Sequence, residues 1–99
     1  MTKYVLGIDQ GPTQCRAVIL DHQANAISQA YRNVSEYCPQ PGWVEHDAQE
    51  IWQVTLEAIA EACRNGRIAP DDIEAVGVSN EIGTTVFWER GTGEPVGRA

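Results

Sequence analysis

The sequence predicts an α/β fold: a mixed sheet with element order β-β-β-α-β-β, covered on one face by a single helix. Three observations lead there. Short runs rich in β-branched residues and bounded by turn residues recur at 4–8, 17–20, 26–34, 73–79 and 84–88. One stretch, 47–65, instead carries apolar residues at helical spacing. That helix stands between the third and fourth runs, and a strand entering after a helix usually lies parallel to a neighbour.

In chain order, Tyr4-Val5-Leu6-Gly7-Ile8 and Ala17-Val18-Ile19-Leu20 flank a polar decapeptide, Gly7 to Arg16, which reads as the tip of a hairpin. Asp21-His22-Gln23-Ala24-Asn25 is a polar turn, with His22 expected to be a solvated turn residue. Ala26 to Val34 alternates as a third strand. Two prolines and a glycine at 39–42 exclude regular structure, and the loop they form leads into the helix. Asp47 with Glu50 three positions on forms an N-terminal cap, and Ile51, Trp52, Thr55, Leu56, Ile59 and Cys63 share one face. On that reading Trp52 packs in the core and Gly66 stops the helix. Ile73 to Ser79 is the fourth strand, Asn80-Glu81-Ile82-Gly83 a polar tip, Thr84 to Trp88 a fifth strand, and Glu89 to Glu94 a glycine-rich turn. Pro95-Val96 begins a further strand, leaving an unfinished sheet edge through which the chain can associate with a copy of itself or with another chain.

Ninety-nine residues, 42% apolar and 21% charged, suit one domain with a modest core. A net charge of -7 and a pI near 4.6 argue against nucleic acid or an anionic membrane as partner. No apolar run approaches the roughly 18 to 20 residues of a membrane span, and Met1-Thr2-Lys3 leads straight into a strand, so a cytoplasmic location is expected. Cys15, Cys38 and Cys63 have neither pairing nor metal-ligand spacing and read as free thiols.

The first hairpin tip carries the chemistry. Gly11 lets a backbone approach an anion, successive N–H groups can form an anion-binding concavity, Thr13 adds a hydroxyl and Arg16 a positive charge. Asp9, at the strand end, suits a hydrated magnesium ion. The same residues also serve a tight hairpin with no ligand at all. If the fourth strand lies parallel to the first, the tips after both strands meet at one end of the sheet, where ligands commonly bind.

Gly-Ile-Asp-Gln-Gly at 7–11 with Thr13 and Arg16, Pro-Gly-Trp-Val-Glu-His-Asp at 41–47 with Glu50-Ile51-Trp52, Gly-Val-Ser-Asn at 77–80, Thr84-Thr85, Trp88 and Thr92-Gly93-Glu94-Pro95 together resemble the start of the glycerol kinases and of the wider FGGY carbohydrate kinases. The resemblance runs the whole chain. It implies a ribonuclease H-like fold of the actin-like ATPase superfamily, with residues 1–99 the N-terminal portion of the first of two domains. It implies ATP and Mg2+ as cofactors and a sugar or polyol as acceptor. Asp9 would act near the metal through water, and Gly11, Pro12, Thr13, Gln14, Cys15 and Arg16 would hold phosphates. Glu81, Ile82 and Gly83 would stand at the substrate. The family's catalytic aspartate and its adenosine-binding domain lie beyond residue 99, so residues 1–99 alone are expected to be inactive. A non-catalytic module that binds nucleotide weakly or docks on a kinase chain is the alternative.

Two departures from the family pattern bear on substrate. Gly11-Pro12-Thr13-Gln14 stands where glycerol kinases commonly have Gly-Thr-Thr-Ser, removing one hydroxyl and one N–H. Asn80-Glu81-Ile82-Gly83-Thr84-Thr85 stands where they have Asn-Gln-Arg-Glu-Thr-Thr, removing the two side chains that grip glycerol.

Overall fold

The computed structural model describes residues 3–81 and 83–99. Strands β1 (Tyr4–Gln10), β2 (Gln14–Leu20) and β3 (Ala26–Asn33) run as an antiparallel meander, followed by helix α1 (Ala48–Gly66), a single 3-10 turn at Pro70–Asp72, and strand β4 (Ile73–Asn80). The sheet order is β3-β2-β1-β4, and β4 returns parallel to β1, as expected of a strand that follows a crossover helix. The hairpin tip is shorter than the polar composition suggested. Both strands extend into it and only Gly11-Pro12-Thr13 remain as loop.

The expected fifth strand is absent among the described residues, and the one expected at Pro95 is reduced to an isolated antiparallel bridge between Trp88 and Pro95. Gly83, at a φ of 94°, breaks the extended run just before Thr84, and the chain turns toward the start of α1 instead of continuing the sheet. The Glu89–Glu94 segment is indeed a turn, closed by the Glu89 N–H donating to the Glu94 carbonyl at 2.8 Å. This leaves β4 at the sheet edge, with Val76 and Val78 exposed.

Alternation along the strands puts Leu6, Cys15, Ala17, Ile19 and Ala30 on one face of the sheet, and α1 lies against β2 and β3 on that face. The helix meets it through small residues: Thr55, Ala58, Ala62 and Cys63 are buried, with Ile59 packed alongside. Trp52, expected in the core, is 61% exposed. The helix is rotated so that the alanine stripe faces inward, because small side chains let its backbone approach the sheet closely. The Ser28 hydroxyl consequently donates directly to the Ala62 carbonyl at 2.7 Å.

The ends of α1 also differ from expectation. Asp47 caps the N-terminus, its carboxylate accepting from the Gln49 and Glu50 N–H groups at 2.9 and 3.3 Å. Glu50 does not reach back to complete a capping box; its carboxylate takes the Ser35 hydroxyl at 2.7 Å and so ties the end of β3 to the helix. At the C-terminus the left-handed cap residue is Arg67, φ 55°, not Gly66. Gly66 is required for a different reason: a Cβ there would sit 2.9 Å from both Ser28 Cβ and the Ile68 Cδ1 methyl. His22, expected to be free in its turn, pairs with Glu74 at 2.9 Å, an exposed contact that contributes little.

Two expectations follow. Gly66→Ala should destabilise the fold by about 1–3 kcal/mol, the usual range for overpacking against fixed atoms, read as a lowered midpoint in urea; an unchanged midpoint would show that the helix end shifts freely. Cys15 and Cys63 are buried and Cys38 is exposed, and burial pushes the Cys63 thiol up from its ordinary range. A colorimetric thiol assay should therefore count one fast-reacting cysteine in the native chain and three in denaturant.

Candidate active site

The parallel pairing of β1 with β4 sets Asp9 opposite Ser79 and Gln10 opposite Asn80, so the two strands deliver their polar ends side by side. Above them sits the Gly11-Pro12-Thr13 loop. The Gly11 N–H is spent on the Gln14 carbonyl at 2.8 Å, Pro12 has no N–H, and the Thr13 carbonyl accepts from Val34 at 2.8 Å. The run of free N–H groups expected of this loop is thus interrupted at its first two residues. What the loop offers outward is the exposed Thr13 side chain, with exposed Arg16 on the adjoining strand.

Asp9 and Arg16 are register partners on β1 and β2 and are both exposed, on the face opposite α1. Neither joins an ion pair among the described residues, so both charges are available to a ligand. No group of three or more metal-ligating side chains occurs among the described residues. A single carboxylate of this kind fits a magnesium ion that keeps its waters and takes its other ligands from phosphates. Cys15 is wholly buried on the helix side of β2, so its thiol is withdrawn from the loop it was grouped with. Gln14 is half-buried at the start of the same strand.

The β4 tip forms the wall of two neighbouring cavities. One, of about 320 Å³, lies between Gln10, Asn80, Glu81 and the first turns of α1, where the outward-turned Trp52 lines it with Ile51 and Thr55. The second, of about 370 Å³, is lined by Val44, His46, Glu81, Gly83, Thr84 and Thr85. Glu81 and Thr84 belong to both. Gly83 is exposed, and an added Cβ would meet nothing within 4 Å, so the constraint there is its left-handed backbone rather than space. Ile82 lies outside the described residues.

His46 was read only as part of a loop motif, yet the structure makes it the most buried polar residue of this end, 3% exposed. Its ring Nε2 lies 3.6 Å from Glu81 Oε2, and its Nδ1 lies 3.2 Å from the Ser35 carbonyl oxygen. Its place directly before the capping Asp47 was the available signal, since a residue there is carried under the helix start.

A parallel strand pair that ends in a lone carboxylate, beside a tight glycine loop and a polar, cavity-lined tip, is the kind of sheet end at which α/β proteins commonly bind ligands. The chain belongs to the FGGY family of carbohydrate kinases and corresponds to their N-terminal domain, whose family model matches residues 4–99. It is 48% identical over 99 residues to the glycerol kinase of Petrotoga mobilis, covering 100% of this chain and 20% of that protein. With the glycerol kinase of Halorhodospira halophila it shares 44% over 97 residues, covering 98% and 19%. The structure of Plasmodium falciparum glycerol kinase with ADP superposes at a TM-score of 0.84 and 26% identity, covering 98% of this chain and 20% of that one. A gluconate kinase from Lactobacillus acidophilus reaches 0.88 at 20% identity, covering 99% and 19%, and shares the fold. The four-stranded mixed sheet with its helix matches these N-terminal domains and agrees with a ribonuclease H-like architecture. The chain spans 19–20% of the length of the curated relatives it matches.

Proposed function

We propose that this chain supplies the phosphate-facing part of an ATP-dependent carbohydrate or polyol kinase. The family match over residues 4–99, with Asp9, the loop and the β4 tip side by side at one sheet end, supports the reading. When bound, ATP with Mg2+ supplies the transferable phosphoryl group and part of the charge neutralisation the transfer needs. This chain's residues provide positioning and counter-charge. Asp9 would hold the metal through water, Arg16 and the Thr13 hydroxyl would bind phosphate, and the tight turn at Gly11 to Gln14 would keep them in register. Pro12 and Gln14 shape the loop, and Cys15 contributes through its strand backbone alone. Glu81, Ile82 and Gly83 border the acceptor, which we take to be a sugar or polyol larger than glycerol. Positioning depends on both halves of a cleft, so residues 1–99 in isolation are inactive.

A second reading is favoured by one observation: β4 is an edge strand with Val76 and Val78 exposed. An edge of that kind pairs readily with another chain. On this reading the chain is a non-catalytic module that binds nucleotide weakly or docks on a kinase chain.

The full chain containing these residues should phosphorylate a pentitol or pentose with better kcat/KM than glycerol when supplied with ATP and Mg2+. Asp9→Asn should lower kcat/KM by about a hundredfold, the scale for losing one preorganised electrostatic contact, with circular dichroism unchanged. Pro12→Thr, which restores a hydroxyl and an N–H to the loop, should lower the KM for ATP. Nucleotide binding without turnover on any acceptor would favour the second reading, and a preference for glycerol would show that the tip is misread.

A further inference from the structure

We propose that Arg98 is a positioning residue: it clamps one wall of the 370 Å³ cavity from behind and so sets affinity for the acceptor, a role that rests on the carbohydrate-kinase reading. Three short segments meet at this wall. Tyr37 and Glu45 exchange both backbone hydrogen bonds, at 2.9 and 2.8 Å. One residue on, His46 does the same with Ala99 on its other side, at 2.9 and 2.7 Å. The step from Glu45 to His46 is thus the middle of a three-segment patch in which each neighbour is held by a single residue pair. Backbone pairing that short is far from self-supporting, so side chains must hold the patch together.

Alternation along extended chain sorts those side chains onto two faces. Val44, His46 and Ala99 line the cavity. Tyr37, Glu45 and Arg98 fall on the other face, where the guanidinium carbon of Arg98 lies 3.8 Å from the centre of the Tyr37 ring and its Nη1 3.7 Å from Glu45 Oε1. One side chain therefore reaches from the third segment across the second to the first. A planar guanidinium suits the task, since its face stacks on the ring while its edge points N–H groups at the carboxylate. None of the three clamp residues lines the cavity, so their influence on a ligand runs through the backbone they hold. Releasing the clamp lets the wall of Val44 and His46 move relative to the wall of Glu81, Thr84 and Thr85. Asp9, Thr13 and Arg16 sit on β1, β2 and the loop between them, outside the three segments, so the clamp acts on the acceptor side and not on the phosphate side.

The test uses the full chain containing these residues, with ATP, Mg2+ and whichever of xylitol, ribitol and D-xylose it turns over best. Arg98→Gln and Tyr37→Leu should each raise the acceptor KM by about two- to fivefold, the worth of one exposed cation–π contact, with kcat and the KM for ATP unchanged. Tyr37→Phe, which keeps the ring, should match the parent, and Tyr37→Leu combined with Arg98→Gln should cost no more than the larger single change. An acceptor KM unchanged in both single variants overturns the clamp while the kinase reading stands. A rise in the KM for ATP or a fall in kcat of the same size overturns it too, because that is the mark of general loosening. Hydrogen exchange followed by mass spectrometry reads the clamp without activity: Arg98→Gln should speed exchange in peptides covering 36–46 and leave those of β1 and β2 unchanged. A chain that turns over none of the three acceptors removes the kinase reading; faster exchange confined to 36–46 then supports the clamp, and equal exchange overturns it.

Discussion

The parallel register between β1 and β4 is the constraint on which the rest of this end of the molecule depends. Parallel strands need a crossover, and here the crossover is α1 with the loop that introduces it. Shifting β4 by one residue would turn Ser79 to the opposite face of the sheet, away from Asp9, and turn Asn80 away from the cavity it lines with Gln10. The register is in turn set by α1, which must start under the β3 end and finish near the β4 start. Its length and the two ties at Ser35, to Glu50 and to His46, fix those positions.

Helix and sheet lie close because the helix face is small. Alanines and a cysteine contribute less buried apolar area than a leucine face would, so the core of this region is thin. The compensation is directional. The Ser28 hydroxyl to the Ala62 carbonyl and Arg32 to Glu61 at 3.1 Å bind the helix to β3 at defined points. Glu61 accepts that guanidinium hydrogen bond, which holds its carboxyl below the usual range. The same tight seating turns Trp52 out of the core and into the cavity wall beside Gln10 and Asn80, so packing economy at one end of the helix shapes the site at the other.

The sequence made the order of the first four strands and the helix legible. Strand alternation and helical spacing are local patterns, and the parallel return of β4 follows from chain connectivity. The sequence also pointed to the loop at Gly11, the carboxylate at Asp9 and the tip at Glu81 meeting at one end of the sheet, and the parallel register of β1 with β4 brings them there. Periodicity says which residues share a helix face but not which face wins, and reading large apolar side chains as the buried ones misplaced Trp52. The fifth strand was misread because Thr84 to Trp88 has strand composition, whereas the backbone at Gly83 decides its direction. The partner choices of Glu50 and His46 depend on Ser35, which is 15 and 11 positions away, so no local pattern reveals them.

Gly83 also decides how this end could be re-engineered. With φ at 94°, its backbone is in a conformation that residues bearing a Cβ rarely adopt, although nothing lies within 4 Å of the place a Cβ would take. A side chain introduced at 83 therefore meets backbone strain before it makes any contact. Thr84 and Thr85 line the same cavity, and substitutions there reshape it without that cost.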